Sequence, residues 1–192
     1  CAQLGAWRQA GYNDIRMSLN LASHDFDRDE IVECVLDCIR RHQLPASQLE
    51  LEITESMMIK DSAQVATRVR SLRDAGVGIA IDDFGTGYSA LAYLQKFPVN
   101  VLKIDRSFVN DLNGLASNPI ISAITGIAKG FGLRLVAEGV EHADQARILK
   151  GLGCDVMQGY YFARPVDVDN ATRMLAGHDN LLTDRVSHFT LH

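Results

Sequence analysis

Short apolar runs alternate with longer amphipathic runs along most of this chain, and glycine, proline or polar turn residues separate them. Apolar runs of roughly four to eight residues between turn residues are typical of buried strands, whereas apolar positions repeated every three or four residues are typical of helices. The predicted strands comprise residues 15–20, 48–54, 77–83, 100–105, 133–139 and 155–162.

The stretches between these strands are predicted to be helical. One helix is predicted from a single apolar stripe formed by Ile31, Cys34, Val35, Cys38 and Ile39. Both cysteines are therefore expected in the core, and Asp27 followed by Glu30 is spaced as an N-terminal cap.

A second helix is predicted from a stripe formed by Val65, Val69 and Leu72. Asp61 or Ser62 can cap its start, and Gly76 stands where a left-handed helix end is expected. Further helices are predicted around Leu91 and Leu94, after Asn118 and Pro119 with Ile120, Ile124 and Ile127 along the helix, for residues 141–150, and for residues 170–175.

Regular alternation of strands and helices predicts parallel strands joined by right-handed crossovers, which is an α/β fold. The sheet could be open and doubly wound, or closed into a barrel. Residues 1–176 are expected to form one domain, followed by a loosely held tail over residues 177–192.

Polar side chains recur near the C-terminal end of each predicted strand. Because successive strand residues point to opposite faces, Glu50 and Glu52 share one face, while the leucines between and beside them share the other. The same alternation places hydrogen-bonding groups on the corresponding face of all six strands, at Asn20, Glu52, Asp82, Lys103 with Asp105, Glu138 and Gln158. An even spread over many strand ends favours a TIM-like (β/α)8 barrel, of which about six strands are visible, over an open sheet.

The acidic members of this set are expected to need a counter-charge. Two carboxylates about 4 Å apart repel by roughly 4 kcal/mol at an effective dielectric constant near 20, and Lys103 is the one clear cation among Glu52, Asp82, Asp83 and Glu138. Oxygen ligands of this kind select Mg²⁺ or Mn²⁺, and two such ions are the usual device for cleaving a phosphodiester. The pattern therefore predicts a metal-dependent hydrolase in which Lys103 orients water or meets charge on the phosphate.

Each residue also has a structural interpretation. Glu50 is typical of a salt-bridged strand residue, and residues 82–85 could be only a strand end followed by a glycine turn. Lys103 alone could be a surface lysine whose apolar stem lies along the strand. The hydrolase interpretation depends on the six strand ends taken together.

The amino-acid composition and charge argue against several classes of protein. The 192 residues include 24 acidic and 19 basic residues, and the net charge of −5 excludes a basic field for holding duplex nucleic acid. The apolar stretch 120–137 is interrupted by charged residues and glycines, which argues against a membrane span. Four cysteines without CxxC spacing argue against a zinc finger or a disulfide framework, so a reducing, cytoplasmic setting is expected.

Several longer motifs resemble one known family in order and spacing: SLNLAS (18–23), LELEITES (49–56), IAIDDFGTGYSAL (79–91), VLKIDRSFV (101–109), LVAEGVE (135–141) and QGYYFARP (158–165). This pattern is similar to that of the EAL-domain phosphodiesterases of bacterial signalling. The resemblance implies a TIM-like barrel that hydrolyses cyclic di-GMP to linear pGpG with Mg²⁺ or Mn²⁺. A receptor that binds the nucleotide without cleaving it is the alternative, and an unrelated metal-dependent lyase is a weaker one.

The resemblance also implies roles for individual residues. Asn20, Glu52 and Asp82 would bind metal, while Asp83 and Glu138 would serve a second ion and catalysis. Lys103 would orient water, and Gln158, Glu141 and Asp105 would complete the surroundings of water and substrate. Glu55 would steady the loop 84–89, which in the family links catalysis to dimerisation, so a homodimer is expected.

One motif is missing: the sequence contains no Glu-Ala-Leu triplet, which in the family precedes the region where this chain begins. The first two barrel strands would precede it as well, so six strands alone would leave two unpaired edges. We expect the chain to be a fragment, a clipped product or one half of a strand exchange, with weakened metal binding and little activity alone. Sensory or synthase domains are expected upstream.

Overall fold

The structure is a computed structural model that describes residues 1–26, 28–60, 62–86, 94–112 and 118–177. Expectations for Asp27, Asp61, Leu91, residues 87–89 of the loop and residues 178–192 of the tail lie outside the described residues. No helix among the described residues is both long enough and apolar enough to cross a membrane.

Six parallel strands form one sheet in which each strand pairs with the next one along the chain. This is the α/β class predicted, with the strand order of a barrel rather than of a doubly wound sheet. The strands are β1 (Met17–Asn20), β2 (Leu49–Thr54), β3 (Gly78–Phe84), β4 (Val101–Ile104), β5 (Arg134–Ala137) and β6 (Val156–Met157).

Helices fill the connections between the strands. They are α1 (Ala2–Gln9), α2 (Ser23–Phe26), α3 (Ile31–Arg41), α4 (Glu55–Lys60), α5 (Ser62–Asp74), α6 (Arg106–Asn110), α7 (Pro119–Phe131), α8 (Ala143–Leu152) and α9 (Val168–Leu175), with a 3-10 turn at Ala46–Gln48. The sequence pattern did not predict α2, α4 or α6, which are too short to show an apolar period.

Local chemistry sets several helix ends as predicted. The Asn118 side chain accepts a hydrogen bond from the backbone N–H of Ile120 at 2.9 Å, and Pro119 occupies the first turn of α7. Gly76 follows α5 with a φ of 94°, which is the left-handed conformation expected there. The last strand was predicted far too long: β6 has two residues, because at Gly159 the chain turns away from the sheet with a φ of 151°.

The main core lies between the outer face of the sheet and the helices. Leu49, Leu51 and Ile53 of β2 are fully buried there, as their alternation with Glu50 and Glu52 predicts. The inner face of the sheet holds a separate small apolar cluster formed by Ala80, Val101, Val136 and Val156. The buried side chains of the inner face therefore come from several strands, as in a barrel interior.

One prediction about a helix face is wrong. Cys34 is exposed and Cys38 is half-buried, because the buried face of α3 is centred on Val35 and Ile39. On α7, Ile120 is exposed, since this helix packs on the sheet through Ile121 and Ile124, which are one and four residues further along.

Candidate active site at the carboxyl ends of the strands

Lys103 of β4 occupies the centre of an acidic cluster on the inner face of the sheet. Its side chain is 3% exposed, and Nζ lies 2.5 Å from Oε1 of Glu138 and 3.1 Å from Oδ1 of Asp82. Nζ also donates a hydrogen bond to Oε2 of Glu52. One buried ammonium group thus contacts carboxylates from β2, β3 and the end of β5, which are the strand ends predicted to converge.

Charge and burial act in opposite directions on Lys103. Burial favours its neutral form, but the carboxylates of Glu138, Glu52 and Asp82 outweigh that effect and raise its pKa above the ordinary value. The side chain is therefore an ammonium cation at neutral pH. Lys103 is a core residue of the inner face, not a surface lysine.

Glu138 directly follows β5 and contributes one of the carboxyl groups around Lys103. Burial raises its pKa to about 7, against the lowering effect of Lys103. Gln158, at the end of β6, donates a hydrogen bond from Nε2 to Oε1 of Glu138 at 2.6 Å. The same carboxylate oxygen is therefore held by groups from two other strands.

Two glycines let the chain present Glu138 and Gln158 in this way. Gly139 follows Glu138 with a φ of 69°, and a Cβ placed on it would lie 2.4 Å from Cβ of Arg106. Gly159 follows Gln158, and a Cβ on it would lie 2.3 Å from both N and O of Val140. No side chain larger than hydrogen fits at either point without moving the backbone.

Asp83 lies at the rim of the site, beside the carboxylates that contact Lys103. It has a φ of 54°, its side chain is exposed, and it shares a hydrogen bond with Asp105. Partial burial and the nearby Asp82 and Asp105 carboxylates raise the pKa of Asp83. Burial opposes ionisation of Asp105 too, but hydrogen bonds from Ser107 and Asp83 lower its pKa. The two acids at the rim thus interact, with the pKa of Asp83 raised and that of Asp105 lowered.

The other predicted residues lie around the cluster. Asn20 is exposed at the end of β1 and stands in register with Glu52, while Glu141 is exposed on the loop after β5. Glu55 is buried, and its Oε2 accepts a hydrogen bond from the backbone N–H of Gly85 at 3.1 Å. That bond ties the start of α4 to the loop after β3.

Glu50 belongs to a separate ion pair on the same face, nearer the start of β2. Its Oε2 lies 2.5 Å from a guanidinium nitrogen of Arg134, and its Oε1 accepts a hydrogen bond from the Ser18 hydroxyl at 3.1 Å. The salt-bridge interpretation of Glu50 is therefore confirmed, and the two inner glutamates of β2 have different partners. Arg134 was not singled out from the sequence, because an arginine beginning a strand is common on protein surfaces.

The carboxylates around Lys103 have the donor set of a cation site. One oxygen from each of Glu52, Asp82 and Glu138 lies within 4.8 Å of the others, the arrangement of a potential metal site. Oδ1 of Asp82 is buried and makes no hydrogen bond, although Nζ of Lys103 is nearby. Hard carboxylate oxygens that converge in this way fit a divalent cation such as Mg²⁺ or Mn²⁺.

Comparison with known proteins agrees with this geometry. Residues 1–165 match the family described as the EAL domain. The chain belongs to the EAL domain family. It is 38% identical over 177 residues to the bifunctional diguanylate cyclase/cyclic di-GMP phosphodiesterase MucR of Pseudomonas aeruginosa, which is 92% of this chain and 26% of MucR. It is also 38% identical over 167 residues to signaling protein YkoW of Bacillus subtilis, covering 86% of this chain and 21% of YkoW. The chain thus spans about a quarter of these relatives.

Solved EAL structures share the fold. The EAL domain of Mycobacterium smegmatis DcpA superposes with a TM-score of 0.86 at 39% identity, over 92% of this chain and 80% of that one. The PaMucR phosphodiesterase in complex with c-di-GMP gives a TM-score of 0.84 at 39% identity, over 89% and 70%. The calcium/cy-diGMP complex of Klebsiella pneumoniae BlrP1 gives 0.74 at 29% identity, over 85% and 41%.

Proposed function

We propose that this domain is a metal-dependent phosphodiesterase that hydrolyses cyclic di-GMP to linear pGpG. The observation that carries the proposal is the buried Lys103, surrounded by three carboxylates whose oxygens lie within 4.8 Å of one another. Similar proteins described as cyclic di-GMP phosphodiesterases or solved with that nucleotide support the choice of substrate.

The cluster would bind Mg²⁺ or Mn²⁺. Glu52 and Asp82, with the amide of Asn20, are proposed ligands of one ion, and Asp83 and Glu138 are proposed to serve a second. A cation held there lowers the pKa of water and offsets the charge on a phosphate group.

Lys103 is proposed to hold water and phosphate oxygens in place. Since it stays protonated, it cannot take a proton from water, but it can donate hydrogen bonds to an anion. Gln158 holds the Glu138 carboxylate that Lys103 also contacts, so both residues fix the same oxygen. Asp105 and Glu141 are proposed to complete the surroundings of water and substrate, and Glu55 to steady the loop after β3.

The reaction proposed is a single hydrolytic opening of the cyclic dinucleotide. Oxygen of water forms a bond to one phosphorus atom, and the bond from that phosphorus to the ribose 3′ oxygen breaks. The proton that water loses is balanced by the proton that the departing 3′ oxygen gains, and the linear product keeps a 5′-phosphate. No oxidant or second substrate is needed.

Product analysis separates an enzyme from a receptor. With cyclic di-GMP and Mn²⁺, we expect the chain to form pGpG slowly, as detected by chromatography, and a Glu52→Gln variant to form none. Glu33→Gln is the matched control, because Glu33 is an exposed glutamate on α3 and is not one of the proposed site residues. Calorimetric binding of the nucleotide without product would favour the receptor, and failure to bind any guanine nucleotide would favour the unrelated lyase.

The setting of the domain is part of the same proposal. We propose that residues 1–176 form one domain of a longer cytoplasmic polypeptide that also carries sensory or synthase domains. The domain is proposed to act as a homodimer. Named relatives with a cyclase or oxygen-sensor description support the multidomain setting.

A further inference from the structure

Gln145, in the first turn of α8, has a buried side chain that bonds to backbone groups of the segments following β4 and β5. It is 6% exposed. Its Oε1 accepts hydrogen bonds from the backbone N–H groups of Glu141 at 2.8 Å and His142 at 3.0 Å. Its Nε2 donates to the carbonyl oxygen of Val109 at 3.2 Å. One side chain thus satisfies three backbone groups on two different segments.

Both segments carry residues of the proposed site. Val109 lies in α6, the helix that Asp105 caps, and Glu141 lies on the loop that Glu138 begins. That loop is also joined to β6, because the N–H of Val140 donates to the carbonyl of Gln158 at 3.0 Å. The bonds of Gln145 therefore complete a network that links the loops after β4, β5 and β6.

An ordinary helix cap does not account for all three contacts. In a capping box, a Gln or a Glu at the third helical position accepts a hydrogen bond from the N–H of the capping residue, and either residue type serves. The bond to Val109 needs an amide, since an ionised carboxylate has no proton to donate and would face the carbonyl oxygen with its charge. The contact with Val109 therefore distinguishes Gln from Glu at this position.

We propose that Gln145 is a positioning residue that holds the segment 138–142 so that Glu138 meets the divalent cation in the correct geometry. It acts through the backbone and touches neither cation nor substrate. The expected effect on catalysis rests on the proposed function, whereas the hydrogen bonds of Gln145 do not depend on it. Residues that orient metal ligands typically contribute about 10- to 100-fold to metal affinity or activity.

The test compares two substitutions with a control in the full chain. Gln145→Glu keeps the acceptor and removes the amide donor, whereas Gln145→Met removes both. Thr125→Val is the matched control, because Thr125 is similarly buried and, among the described residues, its hydroxyl bonds within α7 to the carbonyl of Ile121 at 2.8 Å. Four quantities are measured below the melting temperature: Mn²⁺ affinity without nucleotide, kcat for cyclic di-GMP, KM for cyclic di-GMP, and amide hydrogen exchange over residues 138–142.

We expect both Gln145 variants to bind Mn²⁺ about 10- to 100-fold more weakly and to lose kcat by a similar factor, with KM nearly unchanged. Exchange over residues 138–142 should accelerate, and Thr125→Val should behave as the parent. Parent-like Mn²⁺ affinity and exchange in Gln145→Glu would show that Gln145 only caps α8. If Gln145→Met fails to fold, the Mn²⁺ affinity and hydrogen exchange of Gln145→Glu still test whether Gln145 positions residues 138–142. A parent chain that makes no pGpG would count against the proposed function, while exchange in the variants would still test Gln145.

Discussion

At the scale of single residues, the site depends on one cation among several acids. Lys103 contacts Glu52, Asp82 and Glu138 inside the sheet, where water is largely excluded. Removing one partner of a buried ion pair leaves an uncompensated charge, which costs more than the pair itself contributes. Here the uncompensated groups would be three carboxylates held close together.

Replacing Lys103 with methionine should therefore destabilise the metal-free protein. We expect Lys103→Met to lower the free energy of unfolding by about 3–5 kcal/mol in chelator, measured by urea denaturation. Part of the deficit should disappear with Mn²⁺, because the cation replaces the missing positive charge, while phosphodiesterase activity should stay absent. Lys150→Met, at an exposed position of α8, is the control. Equal stability of Lys103→Met and the parent in chelator would contradict the role assigned to Lys103.

The cysteines offer a residue-scale prediction on reactivity. Burial raises the pKa of Cys154 to about 12, whereas Cys34 is exposed. Because the thiolate is the reactive form, we expect iodoacetamide at pH 8 to alkylate Cys34 readily and Cys154 only after unfolding, as peptide mass spectrometry would show. A raised pKa also means that the stability contributed by Cys154 is present below about pH 9 and declines toward pH 12. Rapid modification of native Cys154 would refute its burial.

At the scale of elements, the loops after β5 and β6 position side chains more than the strands do. The strands end at Ala137 and Met157, one residue before Glu138 and Gln158 respectively. Glycine then allows each loop to turn, and the two loops pair through the backbone of Val140. The alternation of strand residues predicted which face Glu138 and Gln158 occupy, but not that a hydrogen bond joins them.

Gly159 is the position at which this pairing is most sensitive. We expect Gly159→Ala to destabilise the protein by about 1–3 kcal/mol from its backbone conformation alone, with added loss from overlap with Val140. Gly130→Ala is the matched control, because Gly130 lies in a helix with open space around it, and alanine there should stabilise by about 0.5–1 kcal/mol. Thermal unfolding of the two variants measures both effects, and a neutral Gly159→Ala would contradict the described loop contact.

At the scale of the whole molecule, metal binding and folding should be linked. The ligand oxygens come from three separate strand ends, so an unfolded chain cannot present them together. A cation that binds only the folded state adds about 2.7 kcal/mol at one hundred times its dissociation constant. The affinity for the divalent cation is therefore determined by the arrangement of the strands in the sheet rather than by any one motif.

This linkage should depend on pH through Glu138. Because its pKa is raised from 4.5 to about 7, the contribution of Glu138 to the stability of the metal-free fold is fully present below about pH 4.5 and is lost as the pH rises through about 7. Mn²⁺ must displace the proton, so its stabilising effect should grow over the same interval. Denaturation with Mn²⁺ or chelator from pH 5.5 to 8, in the parent and in Glu138→Gln, measures this. A pH-independent Mn²⁺ effect in the parent would contradict the assignment.

The sequence by itself determined the order of the strands and of the longer helices between them, the helix ends at Asn118 and Gly76, and the face on which Glu50, Glu52 and Lys103 lie. These features depend on local backbone geometry and on the two-residue period of a strand, which any reader of the sequence can apply. Only the tertiary structure separated Glu50, paired with Arg134, from Glu52, paired with Lys103, and placed Asp83 at the rim of the site. Those outcomes depend on register, on the twist of neighbouring strands and on loop contacts such as those of Gln145, which join residues far apart in the chain and leave no local pattern.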